Sequence, residues 1–486
     1  MENLIVSTRK KIVMENMFAN VKISAENNIK KVLNVIAYAN VSSCESEGAS
    51  VSIGGEINAT ILYLSENGQV ESAVGKIEFL EKQKADFALK NTFAKDYVKV
   101  ENINFSSNEA MISVSHYADV YGVYDYEIPK IDAGKDGLVL SASSSSIKHV
   151  VEAKNDDFVV TEDYQTNFDE LNILTSATDV TLSSVTASVD KVLVEGKLIT
   201  EVVANGENGI ERIAREIEFS QEIAVMGVVP TMTADARVSV KNSNVNIEKT
   251  GDKCVLAYNI EVGAVVYVYD ETTYEFADDM FSLESEIKTT YGYLTTRTFN
   301  EAKNMSGTFA TVVDISNIEN LDDVVGVFNA GVLPLKNQEN NLSRAVQKIY
   351  VLYKTESGFD VLTQNVEFDV ELGENLNKYH ELLIASQVVS FKVKAGREIE
   401  VVSKYDATAH FETEMSRQFI GGYEIVGAKP ENEYGIKVYV TKEGQSLFDV
   451  SKILNVKPET ISEQNEIDDV FESGQKIYVY YPVNLA

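Results

Sequence analysis

One pattern recurs along the 486 residues at the spacing of a whole domain, and that spacing limits the fold more than any other feature. In Val51 to Gly68, VSIGGEINATILYLSENG, apolar Val51, Ile53, Ile57 and Ile61 alternate with Ser52, Glu56, Asn58 and Thr60. A period of two puts the sets on opposite faces of a half-buried strand that runs into a turn. Val192, Val194, Gly196, Leu198 and Val202 repeat Val51, Ile53, Gly55, Ile57 and Ile61, each 141 residues further on. An apolar-Glu-Phe tripeptide then closes the following strand at Phe79, Phe219 and Phe368, spaced by 140 and 149 residues. The third copy, AVQKIYVLYKTESGFDVL, keeps the turn Glu356-Ser357-Gly358 and a Leu352-Tyr353 pair answering Leu62-Tyr63, but has Ala345 where the others have glycine. Solenoid repeats run to roughly 20–50 residues, so this longer period means tandem domains, each with its own core.

Each copy continues into a second alternating stretch, Ile112 to Tyr124, Val255 to Val268 and Ile399 to Thr413, and is therefore a β domain rather than a lone hairpin. Helical periodicity is scarce before the C-terminus. The expected fold class is mainly β: tandem β-sandwich-like repeat domains followed by a small β-α-α-β domain. Ser141 to Ser146 (SASSSS) reads as a linker, or else an exposed turn within a domain, and Lys429 to Tyr434 (KPENEY) as a second linker.

From Ile436 the pattern changes. A strand, Ile436 to Val440, leads to a turn at Gly444; Ser446 stands as a helix N-cap before Leu447, Val450 and Leu454 on one face. A second short helix opens at Pro458, turns Ile461 inward and stops near Asn465, and Gly474 precedes a closing strand, Lys476 to Tyr480. This order resembles the LysM module, with Val440 to Leu447 as its entry, Asn465 as the asparagine after helix two and Ser473 to Val479 as its exit. The resemblance implies a shallow groove for N-acetylglucosamine polymers, formed by Gly444, Gln445, Ser446 and Phe448 on one side and Gln464, Asn465 and Ile467 on the other. Gln445 and Ser446 depart from the usual Asp-Thr, and the module carries 8 acidic residues against 5 lysines, so an altered ligand is expected.

Tandem β domains of this pattern ending in such a module resemble the SPOCS-domain LysM proteins of clostridial spore formers, on KKVLNVIAYANV from Lys30, VSIGGEINATILY from Val51 and KIEF from Lys76. The implied division is SPOCS-like β repeat 1 at 1–145, repeat 2 at 146–285, a degenerate repeat 3 at 286–430, and a LysM domain at 435–486. The resemblance also implies a scaffold in endospore formation, in the mother-cell cytosol at the forespore or spore coat surface. Its C-terminal module would dock a coat morphogenetic ATPase or other coat proteins. The alternative is a cell-wall or cortex protein that binds peptidoglycan.

Composition bears on partners. Lys and Arg total 43 against 75 Asp and Glu, a net charge of −32, which repels nucleic acid and anionic headgroups. The most apolar stretches, such as Val32 to Val41, are about half the roughly 20 residues that a membrane helix needs; neither nucleic acid nor membrane insertion is expected. The basic cluster Arg9 to Lys11 is not followed by an apolar export-signal core. Cys44 and Cys254 are isolated and read as reduced thiols. His116, His149, His380 and His410 stand alone, without ligand or dyad spacing, and no G-x-S-x-G, P-loop or H-E-x-x-H motif occurs. Asp156-Asp157, Asp278-Asp279 and Asp322-Asp323 lack the spacing of a calcium loop and read as solvated acidic faces. The expectation is no catalytic residues, no metal, no cofactor and no enzymatic activity.

Overall fold

The computed structural model describes residues 3–207, 209–339, 342–372, 379–394, 397–430, 435–465, 467 and 471–481, and they are mainly antiparallel β. Strands β1 (Leu4–Ser24), β2 (Ile29–Glu47), β3 (Ser50–Ser65), β4 (Val70–Lys84), β5 (Lys90–Ser106) and β6 (Glu109–Ile128) make two three-stranded sheets, β1-β6-β5 and β2-β3-β4. Their apolar faces pack together through Val21, Ile23, Ile57, Ile61, Ile112 and Val114, while β2 runs beside β5 and β1 beside β4.

The order returns twice. Strands β7 (Leu138–Gln165), β8 (Leu171–Ser188), β9 (Lys191–Gly206), β10 (Gly209–Ala224), β11 (Thr233–Thr250) and β12 (Lys253–Ser282) form β11-β12-β7 and β10-β9-β8. Strands β13 (Ser285–Asp314), β14 (Leu321–Glu339), β15 (Leu342–Thr355), β16 (Gly358–Glu371), β17 (Tyr379–Lys394) and β18 (Glu398–Ala428) form β13-β18-β17 and β14-β15-β16.

Register explains the recurring glycine. Gly55 lies opposite Phe79, Gly196 opposite Phe219, and Ala345 opposite Phe368. On the other side of the glycine-bearing strand, β2 bulges between Val41 and Ser43, and β8 between Leu182 and Ser184. These bulges fold the carbonyls of Asn40 and Thr181 onto Gly55 and Gly196, where a Cβ would collide with backbone. In the third unit Pro334 faces Ala345 and the neighbouring strand shifts register from Pro334 to Gln338. That different course accommodates a buried methyl group.

The serine run corrects one expectation. Ser141 to Ser146 form neither linker nor turn; they pair with β12 from Asp279 to Thr273. Their small hydroxyls receive Arg417 of β18, which donates to Ser143 Oγ at 2.7 Å and to Ser145, while its guanidinium lies 4.4 Å from the ring centre of Phe276. The break between the first two six-stranded units lies instead at residues 129–137, where Gly134 and Gly137 take positive φ. Of the second expected linker, residues 431–434 lie outside the described residues.

The three units do not stand apart. Leu62, Val203 and Leu352, which occupy equivalent strand positions, meet in one buried cluster with Phe328 and Tyr350. Val6 and Ile128, Ile147 and Phe276, and Leu294 and Phe419 form a second three-way core, and Tyr121, Tyr267 and Phe299 share a third. Equivalent faces of the repeats thus close on a common axis.

After the third unit come β19 (Ile436–Val440), α1 (Leu447–Leu454), α2 (Pro458–Asn465) and β20 (Lys476–Tyr480), with β19 and β20 antiparallel. Val450, Leu454, Ile461, Ile477 and Val479 fill a small core between sheet and helices. No helix of the described residues is long and apolar enough to cross a membrane.

Candidate binding site

The residues expected to line a groove in the C-terminal segment fall into three groups with different duties. Gly444 turns the chain at φ 77. Gln445 braces that turn: its Oε1 accepts from the Lys442 amide at 2.8 Å, and its Nε2 donates to the Tyr439 hydroxyl at 3.0 Å. Ser446 caps α1 through a reciprocal pair with Asp449, its Oγ accepting from the Asp449 amide at 3.2 Å while Asp449 accepts from the Ser446 amide at 2.8 Å. Ile467 joins the core beside Leu447.

Gln464 and Asn465 are bonded to β20. Asn465 donates to the Tyr478 carbonyl and accepts from its amide, both at 2.7 Å. Gln464 accepts from the Tyr480 amide at 2.8 Å. Two side-chain amides therefore occupy the backbone positions that a further strand would take along β20. Their polarity was legible in the sequence, but their engagement with the backbone was not.

Phe448 faces the body of the protein. Its ring meets Phe281 of β12 edge-on, centroids 5.4 Å apart. Lys452 pairs with Asp279 at 2.7 Å, Asn455 donates to the Leu283 carbonyl at 2.9 Å, and Lys429 donates to Asn455 at 2.7 Å. Asp278 in turn holds Arg417, so Asp278-Asp279 is a paired seat rather than a solvated acidic face. An edge-on aromatic pair contributes about 1 kcal/mol beyond its buried area. Phe448→Ser should accordingly speed amide exchange around Leu283 and Asn455 several-fold and leave exchange in β13–β18 unchanged. Unchanged exchange at Leu283 would mean that the ring does not hold the seat.

The sheet of this segment presents a second face. Ile477 and Val479 point inward, whereas Val438 (53 % exposed) lies opposite Tyr478 (42 %), and Ile436 (58 %) opposite Tyr480 (54 %). Among the described residues nothing covers this apolar ladder, which is the kind of patch that marks a contact surface.

A charged cluster between the repeats, unforeseen in the sequence, lies beside the third three-way core. Phe93, Arg237 and Glu381, on β5, β11 and β17, lie opposite Tyr121, Val265 and His410 respectively. Arg237 donates to Glu381 at 2.9 Å and Asp235 at 2.6 Å; Arg9 reaches Glu412 and, at 3.3 Å, Glu381; Lys11 pairs with Asp119 at 2.7 Å. Burial would raise the Asp235 carboxyl, but Arg237 and His410 outweigh it and hold the group at about 2. Glu381 is likewise depressed, burial being outweighed by Arg9, Arg237 and Lys11. Burial and Arg237 together push the His410 imidazole down.

Two other histidines are also occupied: His116 Nδ1 lies 2.8 Å from Asp96, both side chains buried, and His149 lies 3.2 Å from the Tyr274 hydroxyl, while the His380 side chain lies outside those described. Cys254 is buried, and burial raises the Cys44 thiol to about 11. Among the described residues no group of three or more His, Cys, Asp or Glu is placed to hold a metal ion.

Residues 171–248 match the family model SipL, SPOCS domain. The matched stretch begins with β8 and runs through most of β11, so it spans the β10-β9-β8 sheet and the first strand of its partner sheet. The domain suggests a role related to sporulation. No curated protein and no solved structure matches the chain.

Proposed function

We propose that this chain is a non-enzymatic scaffold of endospore formation that holds coat proteins at the forespore surface from the mother-cell side. Its C-terminal segment, which resembles a LysM module, would dock a coat morphogenetic ATPase. The SPOCS-domain match at residues 171–248 carries the reading. The first and third units, which repeat the strand order of the second, are then SPOCS-like as well. Three β units locked on one axis, with a small segment seated on the second through Phe448, Lys452 and Asn455, suit a rigid platform with one docking head.

The architecture also decides which substitutions test it. Gln445 and Asn465 are bonded into the fold, so changing them would disturb the segment itself. Val438 and Tyr478 are exposed and spare it. Full-length Val438→Ser/Tyr478→Ser should lose affinity for the purified coat ATPase about tenfold or more, as when apolar anchors leave an interface. The wild-type chain should not sediment with insoluble peptidoglycan. Saturable sedimentation with peptidoglycan, and no retention of the ATPase, would move the function to the wall.

A further inference from the structure

Where the three units converge, the seam strands of each, β2 and β5, β8 and β11, β14 and β17, together with β15, enclose a cavity of about 640 Å³. That volume lies in the roughly 300–1,000 Å³ range of small-molecule sites, which pair apolar walls with a few placed polar groups. The walls are mostly aliphatic, with Val41, Val98, Val180, Val240, Val332 and Ile384 drawn from all three units. Tyr38 and Leu333 are lining residues that are also 39 % and 41 % exposed, so the cavity reaches the surface beside them.

Five charged residues line this space: Asp96 is bonded to His116 at 2.8 Å and Lys99 to Glu101 at 2.9 Å, which leaves Lys95 of β5, Asp179 of β8 and Lys348 of β15 without a charged group in contact. Among the described residues, neither lysine forms an ion pair or donates a hydrogen bond; the Lys95 ammonium lies 5.2 Å from the ring centre of Tyr97 and feels the Asp179 carboxylate at longer range. Burial lowers both ammonium pKa values and raises the Asp179 carboxyl to about 6. Among these three, two cations face one carboxylate, which leaves positive charge without a contacting counter-ion inside a chain whose net charge is −32. Charge removed from water is costly unless it is paired. The nearby cluster of Arg9, Arg237, Glu381 and Glu412 shows the contrast, because there buried charges of opposite sign stand in direct contact.

We propose that the axial cavity binds a small single-chain amphipathic anion, its apolar body along the valine and isoleucine walls and its carboxylate or phosphate head drawn to Lys95 and Lys348. At about 30 Å³ per water the space holds on the order of 20 waters, enough for a medium-length acyl chain with its head.

Calorimetric titration of the full-length chain with dodecanoate and dodecyl phosphate tests this, with dodecanol and dodecyltrimethylammonium as neutral and cationic counterparts. The expected result is saturable one-to-one binding of at least one anion, about tenfold or more tighter than either counterpart. Comparing the two anions identifies the preferred head. Lys95→Met/Lys348→Met should weaken the anion about tenfold and leave dodecanol unchanged, with circular dichroism confirming the fold. Val98→Trp, which fills the space, should abolish both. Failure of both anions to bind, binding of the cation as tightly as the anions, or an anion affinity untouched by the lysine substitutions would overturn the assignment. If the double variant does not fold, the wild-type comparison of anion, neutral and cation decides alone.

Discussion

Gly196→Ala should destabilise the second unit by about 3 kcal/mol, near the top of the range for overpacking a well-filled site. The added Cβ would meet the Thr181 carbonyl oxygen and the ring of Phe219. A long side chain can swing aside, but a carbonyl held in a bulged strand cannot move without breaking the register from Leu182 to Ser184. Gly55→Ala should behave alike, because the Asn40 carbonyl stands over Gly55 in the same way. The reverse change in the third unit, Ala345→Gly, meets no such obstacle and should cost only about 0.5–1 kcal/mol, the usual penalty of glycine in a strand. Urea unfolding of the three variants measures this. Midpoints for Gly55→Ala and Gly196→Ala close to wild type would show that the bulge carbonyls yield, and that the glycine serves something other than close approach.

The same glycine shows how far sequence carries. Five matches at a separation of 141 residues mark equivalent strand positions, and the structure pairs them identically, Gly55 with Phe79 and Gly196 with Phe219. Alternation tells which side chains share a face, because the pleat enforces it. It does not tell what covers the other face. In β11, Ala234, Ala236 and Val238 enter the core of their own unit, as alternation requires. Asp235 and Arg237 occupy the opposite face, which reads as solvent in one strand and is filled here by Tyr121, Glu381 and His410 from the neighbouring units. The serine run failed for the same reason: its hydroxyls face Arg417 from the third unit rather than water. Leu62 and Leu352 were visible as a repeated pair with tyrosine, yet only the packed chain shows that both leucines leave their own unit for the common core. The polar tips of Gln464 and Asn465 likewise gave no sign of the strand backbone that they hold.

Arg237→Met should cost about 3–5 kcal/mol at neutral pH, the loss usual when one partner leaves a buried ion network. Removing the guanidinium leaves Asp235, 0 % exposed, with His410 alone at 2.8 Å, while Glu381 keeps Arg9 at 3.3 Å and Lys11 at 3.4 Å. The pH dependence separates charge from packing. Asp235 is held at about 2 in the folded protein and titrates near 3.9 when unfolded. A carboxylate with a depressed folded pKa contributes stability that is fully present above the unfolded value and fades as pH falls towards the folded one. Glu381 is depressed in the same sense, with an unfolded value near 4.3. His410, lowered by burial and Arg237, adds a loss in the same direction as pH falls through about 6.5, since the unfolded imidazole takes a proton that the folded one resists. Wild type should therefore weaken from about pH 6 and lose most of the carboxylate contribution between about pH 4 and 2. In Arg237→Met, Asp235 has lost its contacting guanidinium and Glu381 one of its three cations, so both accept protons more readily and the gap between variant and wild type should narrow steadily over the same acid range. Denaturant midpoints at pH 7, 5 and 3 measure it. A gap of constant size across that series would assign the loss to the missing side-chain volume, and the three units would then be held by their apolar cores, with the charges serving only to fix which unit sits beside which.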